Sequence, residues 1–142
     1  MLSRILFAPG FILGLLILIS VANGIVTSTG FYYHAVGTVD RFHIDSILHF
    51  LAGAWLAAVF FYLAARSKNI FDARAHIFVA FIGALAFTAL IGVLWEFFEF
   101  GLDVVFKLSQ QARFLDTIED LAADCLGAFF MNLIYIRALR SS

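Results

Sequence analysis

The chain has 142 residues, of which 63% are hydrophobic and only 13% charged, with a net charge of −1 and a mean hydropathy of +1.00. An ordinary soluble domain carries roughly a quarter charged residues, so a water-soluble monomer is excluded, and nine scattered basic residues leave no patch for nucleic acid. The one cysteine, Cys125, excludes an internal disulfide and a thiolate-rich metal site.

A helix rises about 1.5 Å per residue, so a hydrocarbon core about 30 Å thick takes about 20 mostly apolar residues. The first such run is Ile5 to Val26. With Arg4 ahead of it, it has the outline of a signal peptide, but it is long for that role, and Val21-Ala22-Asn23-Gly24 is a poor cleavage site, so it reads as a retained helix. Ile47 to Ala65 follows, interrupted only by His49, and then the uncharged Ile77 to Trp95. Leu121 to Ile136 is short and reaches full length only from about Thr117, taking in Glu119, Asp120 and Asp124. Membrane-barrel alternation is absent, and a chain with one proline, Pro9, and no Ser/Gly-rich tract has no linker signature. The expected fold is all-α: a single membrane domain forming a four-helix transmembrane bundle, with spans at about 5–26, 47–65, 77–99 and 117–136.

Basic residues orient the bundle. Arg4, Arg66, Lys68, Arg74, Arg137 and Arg140 fall on the side of the termini, against Arg41, Lys107 and Arg113 on the other, so the positive-inside rule places both termini in the cytoplasm. On that topology nine of the ten acidic residues fall at the outer end, and only Asp72 falls inside. The outer end carries a net −6 and the inner end +5, with His34, His43 and His49 also outside.

Helical spacing gathers these groups into stripes. Asp45 and His49 stand at i,i+4 on the second span, and Asp120 and Asp124 do so on the fourth. Glu96, Glu99 and Asp103 lie within about 60° of one another at about 100° per residue. Carboxylates gathered at low dielectric repel and are poorly solvated, so protons, a bridging Arg41 or Arg113, or a cation must compensate them. Carboxylate oxygens with an imidazole suit Mg²⁺, Mn²⁺, Zn²⁺ or Fe²⁺. Asp116 and Thr117 also read as a helix cap, with Glu119 or Asp120 as the reciprocal partner. Asp120 and Asp124 lie deeper than a cap requires, where intramembrane acids mark function. Gly10-x-x-x-Gly14 and Gly53-x-x-x-Ala57 suit close helix packing, and Gly92 and Gly127 are expected to let the third and fourth spans approach beside the acids.

Three motifs in order carry a resemblance: Asp45-x-x-x-His49-Phe50-x-x-Gly53, Trp95-Glu96-x-x-Glu99, and Leu115-Asp116-Thr117-x-x-Asp120-x-x-x-Asp124-x-x-Gly127-Ala128. Over roughly residues 45 to 128 the chain resembles the YjdF-type membrane proteins, in the wider neighbourhood of the VanZ-like proteins. The resemblance implies a multi-helix envelope protein in which these polar positions matter.

Together the residues point to a multi-pass protein of the cell membrane, with a divalent-metal site on its extracytoplasmic side formed by Asp45, His49, Glu96, Glu99, Asp120 and Asp124. The expected activity is a metal-dependent hydrolysis or transfer on an envelope lipid, with His49 or Glu99 as general base. Two alternatives stay open: a proton or cation conductor, for which Thr88 and Asn132 are the only polar groups deeper in the bundle, and a non-catalytic scaffold with an internal ion-pair network. The lipid bilayer is the expected partner, and homo-oligomerisation is left open.

Overall fold

The first helix starts on the one proline. In the computed structural model, which describes residues 8–28, 44–67, 76–106 and 114–140, α1 spans Pro9–Ser28. Proline lacks an N–H, but the first turn of a helix has no acceptor for one, and its fixed φ suits that position. The Ala8 carbonyl then accepts from the amides of Phe11 and Ile12 at 3.0 and 3.2 Å, closing the first turn. The expected start at Ile5 lies outside the described residues.

The other helices are α2 (Ile44–Arg66), α3 (Ile77–Phe106) and α4 (Phe114–Arg140), and no strand occurs among the described residues. All three are long and apolar enough to cross a membrane, while the apolar part of α1, Pro9–Ile25, is shorter. Each outruns its expected span. α3 continues past Glu99 to Phe106 because Phe100, Val104, Val105 and Phe106 keep it apolar. α4 starts before Thr117 and carries Asp116 in its first turn and Arg137 and Arg140 in its last, where each charge suits the helix dipole. At the end of α2 the Ser67 amide donates to the carbonyls of Leu63 and Ala64, and the Arg66 guanidinium lies 4.7 Å from the centre of the Tyr62 ring.

Cross-helix pairs give the directions. Moving along α2 from His49 through Gly53 to Phe61, the facing residues on α4 advance from Asp124 to Tyr135, so the two run parallel. α3 runs against them: Gly92 faces Asp124, and Phe81 faces Asn132. The N-terminal ends of α2 and α4 therefore share one end of the bundle with the C-terminal half of α3. α1 lies against α2, where the Trp55 indole N–H donates to the Ile12 carbonyl at 2.9 Å.

The core is narrow and built mostly of alanine: Ala57, Ala58 and Ala64 of α2, Ala80 and Ala84 of α3, and Ala128 of α4, with Phe61, Met131 and Tyr135 as its large members. Lipid tails are as apolar as leucine, so helices in a membrane associate through close packing of small residues rather than by hiding bulky ones. The bulk faces outward, with Phe78, Phe97, Val105 and Phe114 among the most exposed side chains.

Glycines set the closest approach. A Cβ on Gly53 would meet the backbone of Asp124, and one on Gly127 would meet the Phe50 carbonyl. Gly127 thus serves α2 and α4, not the expected approach of the third and fourth spans; Gly92 alone serves that one, against the Asp124 carboxylate and Leu121. A glycine in the sequence shows that something comes close without showing what. Gly10 and Gly14 meet nothing within 4 Å among the described residues, so the packing expected of that pair is not seen.

Candidate metal centre

Because α2 and α4 are parallel, their i,i+4 pairs stand side by side. The imidazole of His49, 9% exposed, lies between the two aspartates of α4. Its Nδ1 is 3.4 Å from Asp124 Oδ2 and its Nε2 is 3.9 Å from Asp120 Oδ2. Asp120 and Asp124 are themselves buried. Asp45, one turn before His49, completes a group of three: one ligand atom each from Asp45, His49 and Asp120 lie within 4.8 Å of one another. The Gly53–Asp124 and Gly127–Phe50 backbone contacts make this possible, since any larger residue there would hold the helices too far apart for His49 to reach both aspartates.

The α3 acids join from a third helix. Glu96 is buried, and the charges of Glu96 and Glu99 both act on Asp120. Glu99 also interacts with His49 and Asp45. One Glu99 oxygen is engaged elsewhere: Oε1 accepts the Trp95 indole N–H at 2.9 Å, an i,i+4 pair on one face of α3. Gly92 clears space for Asp124, whose Oδ2 would stand 2.7 Å from a Cβ there.

All six expected site residues therefore gather at one end, with Asp45, His49 and Asp120 closest together, Asp124 on the far nitrogen of the ring, and Glu96 and Glu99 as the α3 wall. The side chain of Asp103 and all of Arg41 and Arg113 lie outside the described residues. Among the described residues, Arg66, Arg137 and Arg140 sit in the last turns of α2 and α4, at the opposite end from the acids. Five carboxyl groups and one imidazole thus share a largely buried region. The spacing of Gly53 and Ala57 marks Gly53 for close helix packing; that the backbone it admits is that of Asp124, which brings α4 up to His49, is the part the sequence does not show.

The family of predicted membrane proteins called DUF2238 matches residues 4–141. The chain belongs to that family. It is the family of the YjdF-type proteins, so the resemblance drawn from the three motifs holds and extends over the first helix as well; the VanZ-like part of that resemblance is not shown. No curated protein and no solved structure matches the chain.

Proposed function

We propose that this DUF2238 protein binds a divalent cation at the acidic end of its bundle, through Asp45, Asp120 and the Nε2 atom of His49. The observation that carries this reading is the convergence of those three groups within 4.8 Å, with Asp124 on the other ring nitrogen. Two ligands of one ion with bonds of about 2.1 Å stand about 3–4 Å apart, and Nε2 and Asp120 Oδ2 are separated by 3.9 Å. A ligating histidine commonly gives its second N–H to a carboxylate, which sets its tautomer and orientation. Asp124 is placed for that role, which makes it a positioning residue and leaves Asp45 and Asp120 as the anionic ligands.

On this reading α1 is a fourth span, both termini are cytoplasmic and the cation site faces outward, by the basic-residue bias. A C-terminal reporter active only outside the cytoplasm would invert that orientation. The catalytic form of this reading is hydrolysis or transfer on an envelope lipid, for which a cation held by Asp45, His49 and Asp120 would supply polarisation of a phosphoryl or acyl oxygen. Both His49 nitrogens face carboxylates, so Glu99 is the stronger candidate for general base.

The test is elemental analysis of purified protein after dialysis against trace Mg²⁺, Mn²⁺, Zn²⁺ or Fe²⁺. We expect about one equivalent of one metal in the wild type, lost in Asp45→Asn and Asp120→Asn. Metal-free wild type under every condition, or variants that keep the full equivalent, would overturn the reading.

A further inference from the structure

Beneath the acidic end, the interior of the bundle stays polar for two further steps. Thr88 on α3 and Asn132 on α4 are both 0% exposed. Asn132 Nδ2 donates across the interface to the Phe81 carbonyl at 3.4 Å. Its Oδ1, and Thr88 Oγ1, have no hydrogen-bonding partner among the described residues. A hydroxyl and an amide oxygen removed from water with no replacement partner carry an uncompensated desolvation cost.

Register places both on one seam. Gly92 faces the Asp124 carboxylate and Phe81 faces Asn132. Thr88 lies between them, about 6 Å along α3 from Gly92 and about 10 Å from Phe81 by the rise per residue, and within about 40° of both around the helix. Asp124, Thr88 and Asn132 therefore follow one another inward between α3 and α4, among the fully buried Ala84 and Ala128. One turn beyond Asn132 on α4, Tyr135 stacks on Phe61 of α2 with ring centres 3.8 Å apart and planes 10° apart.

We propose that Thr88 and Asn132 form an internal water site, holding a short file of water between α3 and α4 that hydrates Asp124 from the bundle interior. Asn132 Oδ1 only accepts, while the Thr88 hydroxyl both donates and accepts, so a guest must donate at Asn132 and can do either at Thr88. Water does both. Buried waters typically make about three hydrogen bonds to otherwise unsatisfied groups, whereas a hard cation asks for about six or more oxygen ligands. The proposal stands on the two oxygens and does not depend on a bound metal.

The experiment uses the full chain in nanodiscs with chelator present. Thr88→Val removes the hydroxyl at nearly constant volume, Asn132→Leu removes the amide, and a double variant removes both. If they hold one connected file, each single change lowers Tm by a few degrees and the double variant melts no lower than the worse single. Thr88→Ser, which keeps the hydroxyl, melts like the wild type. Pulsed radiolytic labelling of Phe81, which detects neighbouring bound water, should fall several-fold in Thr88→Val. A Thr88→Val protein that melts higher than wild type, fully additive losses, or labelling of Phe81 unchanged by the substitution would overturn the proposal. Should Asn132→Leu fail to fold, the Thr88→Val and Thr88→Ser pair and the labelling decide the matter alone. Metal content, measured in parallel, should be unchanged in Thr88→Val, which separates this outcome from that of the cation reading.

Discussion

At one end α2 and α4 meet through an imidazole set between two aspartates; at the other they meet through Phe61 stacked on Tyr135 at 3.8 Å. The first contact gathers like charges, with Asp45, Glu96 and Glu99 close by, and calls for compensation by protons, a basic side chain or a cation. The second joins two large rings over a bed of alanines and needs nothing added. Between them lies the glycine crossing, where backbone meets backbone. Cohesion between α2 and α4 therefore belongs to the crossing and the aromatic end rather than to the acidic end.

The largest effect should come from the crossing. In Gly127→Val the added atoms would meet the Phe50 carbonyl and the Ala54 amide nitrogen, neither of which can move without the helix. Overpacking typically costs about 1–3 kcal/mol and more where the backbone must shift; we expect this variant at or beyond the top of that range, read as loss of monodisperse folded protein on size exclusion. Gly127→Val protein that folds and melts like the wild type would mean the helices are not held this close.

Next comes the aromatic end. Phe61→Ala, at a site 1% exposed, should cost about 3 kcal/mol by the usual penalty for emptying a buried aromatic site. Its Tm should fall equally in chelator and in added metal, and its metal content should match the wild type. Coupled loss of both would show that the two ends are not independent.

Asp120→Asn should behave in the reverse way. It removes one of several repelling carboxylates, so the metal-free Tm should hold or rise slightly. The stabilisation that bound metal confers, about 2.7 kcal/mol at a hundred times Kd, should disappear. An early-melting Asp120→Asn protein, insensitive to metal and matched by a wild type that is also insensitive, would favour an ion-pair network, since stranding the partner of a buried pair costs about 3–5 kcal/mol.

The smallest effect should be at Gly14, which has no neighbour within 4 Å among the described residues. Gly14→Ala should raise Tm slightly, by about 0.5–1 kcal/mol through helix propensity alone. A clear loss there would reveal a packed partner for α1.

Much of this was legible from residue types. The order of apolar runs set four helices, because a span that long with so few charges has few other places to go. The i,i+4 spacing of Asp45 with His49, and of Asp120 with Asp124, put each pair on one face, because helical periodicity is local. The same spacing did not show that both His49 nitrogens would face aspartates, or that Trp95 would take one oxygen of Glu99.

What the sequence alone determined is the membrane setting, the helical class and the collection of acids at one end, since each depends on composition or on spacing within a helix. Only the tertiary structure decided that Gly127 closes on α2 rather than α3, that Asp45, His49 and Asp120 stand closest while Asp124 faces the other ring nitrogen, and that Thr88 and Asn132 share a seam. Those outcomes depend on how each helix is rotated against its neighbours. That rotation is set by the sum of many small packing contacts between segments far apart in the chain, which spacing within one helix does not encode.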